Sequence, residues 1–153
     1  MFDRLVQLIE QSTSEPPPPE PTDHRLAVAT LLVEAARMDH TIAPDERDRI
    51  AQLLQWRFEL SEAETEDLLD QAVTAAEDSH SLHRYSLAIR THFEEAERVT
   101  VIELLWDIAY IDGHLHEREA SLMRKLAGLL YVTDQDSGAA RKRVQARLGI
   151  LED

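Results

Sequence analysis

From Thr22 onward the apolar positions recur at helical spacing, and no stretch alternates apolar with polar residues. Asp23 to Met38 predicts a helix whose middle, LAVATLLVEAA, is polar only at Thr30 and Glu34, so it is mostly buried. Pro44 suits the first position of the next helix, which runs to about Trp56 with Asp45 and Glu46 in its first turn. Ser61 and Glu64 form a capping box ahead of a helix carrying Leu68, Leu69, Ala72 and Val73. A break near Asp78 to Ser81 precedes a helix from Leu82 to His92. Further helices are predicted over Glu95 to Ile111, over His116 to Leu130, and from a Thr133 cap to Leu148. The expected fold is all-α, a compact single-domain bundle of about seven or eight helices.

Two segments precede it. Residues 1–12 put Phe2, Leu5, Val6, Leu8 and Ile9 along one side of a short amphipathic helix, too short to be stable unless it docks. Residues 13–22 hold five of the six prolines and predict a stiff, extended linker. The helical domain is then expected over 23–153.

The pattern also repeats. At an offset of 73 residues Leu31 falls on Leu104, Ala36 on Ala109, Asp39 on Asp112, Ile42 on Leu115, Glu46 on Glu119 and Leu53 on Leu126. The apolar matches predict two similar helical hairpins. The matched acids, Asp39 with Glu46 and Asp112 with Glu119, are the part able to carry chemistry.

Charge narrows the partners. A net −14 over 153 residues opposes phosphate neutralisation, so neither nucleic acid nor an anionic membrane is an expected partner. Glu59 to Glu97 holds eleven acids against Arg84 and Arg90, whereas Gly138 to Leu148 carries Arg141, Lys142, Arg143 and Arg147 with no acid. That asymmetry suits internal docking, a basic partner or cations. The lack of cysteine removes disulfides and thiolate chemistry and suits a reducing cytoplasm. No run reaches the length of a membrane span, and no basic flank precedes an apolar core at the start of the chain.

The run AYIDGHLHEREASLMRKLAGLL resembles the repeated signature of the TerB-like family, named for a tellurite-resistance protein. Its pattern is roughly Ala-x-x-Asp-Gly-x-Ile/Leu-x-x-x-Glu ahead of an apolar helix. The second copy carries Ala109, Asp112, Gly113, Leu115 and Glu119; the first carries Ala36, Asp39, Ile42 and Glu46, with His40 where glycine is usual. The resemblance covers about Asp23 to Leu148. It implies a compact helical domain related by fold to the N-terminal domain of a membrane-anchored co-chaperone. It also implies tellurite or other stress responses, divalent-cation binding and membership of protein complexes.

The acidic turns admit two readings. Asp and Glu oxygens suit a hard cation such as calcium or magnesium, although a pair needs further donors. The same residues are also ordinary turn and helix-start caps. His114 and His116, flanking Leu115, would extend the ligand set Asp112, Glu119, Asp39 and Glu46 toward zinc or nickel. An EF-hand does not fit: the twelfth place is Met123 counted from Asp112, Ile50 from Asp39 and Gln145 from Asp134. Glu34, Glu103 and Asp107 form an acidic stripe on largely buried helices, which must reach solvent or pair with arginines such as Arg84 or Arg90. A dinuclear carboxylate site there needs two Glu-x-x-His motifs, and the chain supplies one, Glu77 to His80. No nucleophile elbow, phosphate loop or His-Glu-x-x-His motif is present. Trp56, Trp106, Tyr110 and Tyr131 read as core or interface aromatics.

The expected function is a non-enzymatic, cytoplasmic helical module that acts through protein contacts or self-association, with a possible divalent cation at the acidic turns. The alternatives are a purely structural interaction protein without a metal and, less favoured, a carboxylate-bridged metalloenzyme.

Overall fold

The computed structural model describes residues 24–37, 42–113 and 115–150, which form seven α-helices and no strand. They are α1 (His24–Ala36), α2 (Pro44–Phe58), α3 (Glu62–Ala76), α4 (Ser81–His92), α5 (Glu95–Ala109), α6 (Glu117–Leu129) and α7 (Asp134–Leu148). The all-α expectation therefore holds for the described residues. The N-terminal helix (1–12), the proline linker (13–22), Asp39, His40 and His114 lie outside them.

Helix starts follow local chemistry. Ser61 Oγ accepts from the Glu64 N–H at 3.1 Å while Glu64 Oε1 accepts from the Ser61 N–H at 2.9 Å, the two halves of a capping box. Thr133 Oγ1 accepts from the Asp136 N–H at 3.1 Å and opens α7. Pro44 occupies the first turn of α2, where a missing N–H costs nothing. The long helix expected to reach Ile111 stops at Ala109. Tyr110 to Gly113 form the turn, and Gly113 takes φ 91°, open to glycine and strained for other residues.

The two helices read as nearly all apolar are the centre of the molecule. Ala27 to Val33 are buried without a break in α1, and Leu104 to Ala109 are buried in α5. α1 packs on α2, α3, α4 and α5; α5 packs on α1, α2, α6 and α7. A buried leucine such as Leu31, Leu32 or Leu105 stabilises this arrangement by about 1.5–3 kcal/mol. The partner helices α2 and α6 bury a single stripe each, at matching register: Ile50, Leu53 and Leu54 against Met123, Leu126 and Ala127. The repeat is thus a central helix followed by an amphipathic one, and the two central helices touch.

α7 docks on α5 through polar groups set at helical spacing. Arg143 Nε reaches Glu103 Oε1 at 2.7 Å and Arg147 Nη1 reaches Glu103 Oε2 at 3.0 Å. Trp106 Nε1 donates to Ser137 Oγ at 3.1 Å, and the Tyr110 hydroxyl accepts from Arg141 Nε at 2.7 Å and from Gln145 at 3.0 Å. Most of the basic charge of residues 138–148 therefore serves internal docking. Asp107, with its side chain 1% exposed, is held from two sides: Arg49 grips both oxygens at 2.7 and 2.8 Å and Arg147 approaches at 3.4 Å. Glu103 and Asp107 of the acidic stripe pair with arginines, but not those expected from sequence. Arg84 pairs with Asp78 at 3.3 Å, and Arg90 lies 4.8 Å from the Tyr131 ring centre. The aromatics also divide. Trp106 and Tyr110 are buried, whereas Trp56 is 71% and Tyr131 66% exposed.

Candidate functional site

The contact between the central helices brings the two repeats to one place. Glu46, in the first turn of α2, and Glu119, in the first turn of α6, line a single open cleft with Asp112 and His116. The cleft holds about 450 Å³, and its walls include Ala35 and Ala36. A smaller depression beside it is floored by Leu105, Ile108, Ala109 and Met123 and again shared by Glu46 and Glu119. Small alanines on the central helices leave room for both glutamates over an apolar floor.

Each glutamate is also a cap. Glu46 Oε1 accepts from the Ala43 N–H at 2.9 Å, and Glu119 Oε1 accepts from the His116 N–H at 3.0 Å. Glu64 and Glu97 make the same reach to Ser61 and Glu94, so the device is general in this chain. The capping reading of the matched glutamates is correct as far as one oxygen of each is concerned. What distinguishes Glu46 and Glu119 is that they share a cleft.

Electrostatics record that sharing. Burial first, then the nearby charges of Asp112 and Glu46, push the Glu119 carboxyl above its ordinary 4.5; the His116 N–H and ring oppose this. His116 Nε2 lies 3.0 Å from Asp112 Oδ2, and both side chains are half exposed. That hydrogen bond is the main reason the imidazole titrates above its ordinary 6.5. The N-terminal turns of α2 and α6 add the partial positive ends of their helices, which favour carboxylates here.

Of the residues expected as ligands, Glu46, Asp112, His116 and Glu119 come together, while Asp39 and His114 lie outside the described residues. Among the described residues no group of three or more His, Asp or Glu side chains is arranged to hold a metal ion. The four are thus neighbours in a cleft rather than a closed coordination shell, and a cation there would complete its shell with water or carbonyl oxygen. Sequence alone did not show that Glu46 and Glu119 face each other, because equivalence across a repeat does not say whether the copies meet. It also missed the Arg49 clamp on Asp107. A signal for the other clamp was present in Glu103 and Asp107 at four-residue spacing and Arg143 and Arg147 at the same spacing.

No described helix is long and apolar enough to cross a membrane. No curated protein and no solved structure matches the chain. The family model for tellurite resistance protein TerB matches residues 25–142. That match spans most of the chain and both acidic turns, and the chain belongs to the TerB family.

Proposed function

We propose that this TerB-family module is a non-enzymatic, cytoplasmic protein that binds a divalent cation in the cleft shared by its two repeats. It acts through protein contacts in a stress setting related to tellurite resistance. The observation that carries the reading is the convergence of Glu46 with Asp112 and Glu119, where burial first and the repulsion of the neighbouring carboxylates second raise the Glu119 carboxyl. A cation would relieve that repulsion. Carboxylate oxygens suit calcium or magnesium, and His116 would admit zinc or nickel. Asp39 and His114 complete the candidate ligand set by sequence equivalence and proximity along the chain.

Calorimetric titration of calcium, magnesium, zinc and nickel into wild type, Glu46→Gln and Glu119→Gln tests this. A shared site predicts one ion per chain and a loss of binding in both variants. Two independent sites would leave one ion in each variant, and the absence of heat with every metal in wild type would end the cation reading.

A second reading, a structural interaction protein without a metal, is favoured by the capping bonds of Glu46 and Glu119 and by the exposure of Trp56 and Tyr131. A dinuclear carboxylate centre is not favoured. Glu103 and Asp107, the acids best placed for it, are bound by Arg49, Arg143 and Arg147.

A further inference from the structure

Trp56 is the largest apolar side chain that the described fold leaves uncovered, 71% exposed near the end of α2. It borders a groove of about 370 Å³ lined by Arg49, Gln52, Leu53, Trp56 and Arg147. The α2 members sit at helical spacing, so they form one face of that helix, and Arg147 closes the groove from α7. An aromatic anchor with an apolar floor, and arginine walls that hold Asp107 yet stay 29% and 43% exposed, suits an amphipathic helix whose polar side is acidic.

The chain itself carries such a segment. Residues 1–11 place Phe2, Leu5, Val6 and Ile9 on one helical stripe, and residues 1–23 hold five acids, Asp3, Glu10, Glu15, Glu20 and Asp23, against Arg4 alone. The chain enters α1 close to the end of α2, because the Arg25 guanidinium lies 6.0 Å from the Phe58 ring centre. Phe58 follows Trp56 by two residues, roughly 200° around the helix, so the segment must pass around α2 to reach Trp56. A proline-rich run of the length of residues 12–23 can reach about 37 Å at roughly 3.1 Å per residue. That exceeds the width of a helix, about 10–12 Å. The depression nearer the point of entry is a poorer host. It is lined by Arg25, Leu60, Glu64, Asp67, Leu68 and Gln71, and two of those are carboxylates that repel an acidic segment.

We propose that the segment Phe2 to Ile9 docks in its own chain's Trp56 groove, with its apolar stripe on Trp56 and Leu53 and its acids toward Arg49 and Arg147. The segment is then a built-in competitor for any partner at that face. This is independent of whether the acidic cleft binds a metal.

The absence of cysteine makes the test clean. A nitroxide is attached to the full chain at Ser12→Cys, and the indole N–H resonance of Trp56 is followed by NMR. Docking predicts loss of more than half of that signal, with recovery in the same labelled chain carrying Leu5→Asp and Ile9→Asp. Both substitutions precede α1, so the helical bundle is left intact. An unaffected Trp56 signal overturns the proposal, as does a loss that survives the double substitution. Mixing nitroxide-labelled chain with isotope-labelled, nitroxide-free chain completes the test. Broadening of Trp56 in the mixture would mean that a second copy supplies the segment, which also overturns self-docking.

Discussion

Asp107 and Asp112 are near neighbours in sequence and live in opposite surroundings. Asp107 is 1% exposed and held by Arg49 and Arg147, with Glu103 beside it tied to Arg143 and Arg147. Asp112 is 51% exposed, touches His116, and shares its cleft with the carboxylates Glu46, Glu117 and Glu119 and with Arg118. The first group is neutralised by partners that hold α2 and α7 onto α5. The second group is gathered in an open cleft, where the His116 ring offsets the raised Glu119 carboxyl only in part. Carboxylates gripped by arginines hold helices together, whereas carboxylates gathered in an open cleft stay accessible to solvent.

Removing each acid in turn should separate the two groups. Asp107→Asn should cost about 2–3 kcal/mol, less than the 3–5 of a wholly buried pair, because Arg49 and Arg147 are 29% and 43% exposed and regain water. Asp112→Asn should stay within about 0.5 kcal/mol, as expected for a solvated surface group. Urea unfolding of both variants in chelator is the measurement. Equal losses would erase the distinction between clamp and cleft.

How much of this was readable beforehand depends on the range of the interaction. Helix positions followed from local signals such as the Ser61–Glu64 box, Pro44 and the Thr133 cap, all confined to one turn. The burial of α1 and α5 followed from the near-continuous apolar runs around Leu31 and Leu105. The cleft is different. Glu46 and Glu119 meet only because α1 packs on α5, and no local pattern encodes which faces of two buried helices touch. The Arg49 clamp was hidden for the same reason, since its partner is 58 residues away and Arg84 was an equally charged candidate.

The turn beside the cleft gives a middle-sized effect. Gly113 has φ 91°, its N–H donates to the Tyr110 carbonyl at 2.9 Å, and an added Cβ would meet no atom within 4 Å. Gly113→Ala should therefore cost roughly 1–2 kcal/mol through backbone strain alone. A loss in urea midpoint without change in the unfolding slope would confirm a native-state effect. The first repeat carries His40 at the equivalent place, so His40→Gly should move stability far less or raise it. A larger loss from the first-copy change than from the second would refute the view that the second turn is the one relying on glycine.

The smallest effect is the sharpest, because it compares one residue type at one helix position. Glu64 and Glu119 are both third residues of their helices, and both accept the N–H of the residue before the helix. Glu64, bonded first by the Ser61 N–H and then by its hydroxyl, titrates below the ordinary 4.5; Glu119, buried beside Asp112 and Glu46, titrates above it. For Glu64 the unfolded chain binds more protons, so its contribution is present above pH 4.5 and is lost as pH falls through the lowered folded value. For Glu119 the folded chain binds more protons, so stability falls as pH rises from 4.5 through the raised folded value. Relative to wild type in chelator, Glu64→Gln should therefore become more destabilising with rising pH. Glu119→Gln should become less destabilising over the same range. Adding a divalent cation that binds the cleft should remove the penalty on ionised Glu119 and leave the Glu64 profile untouched. Parallel profiles for the two variants would show that the cleft is only a pair of helix caps.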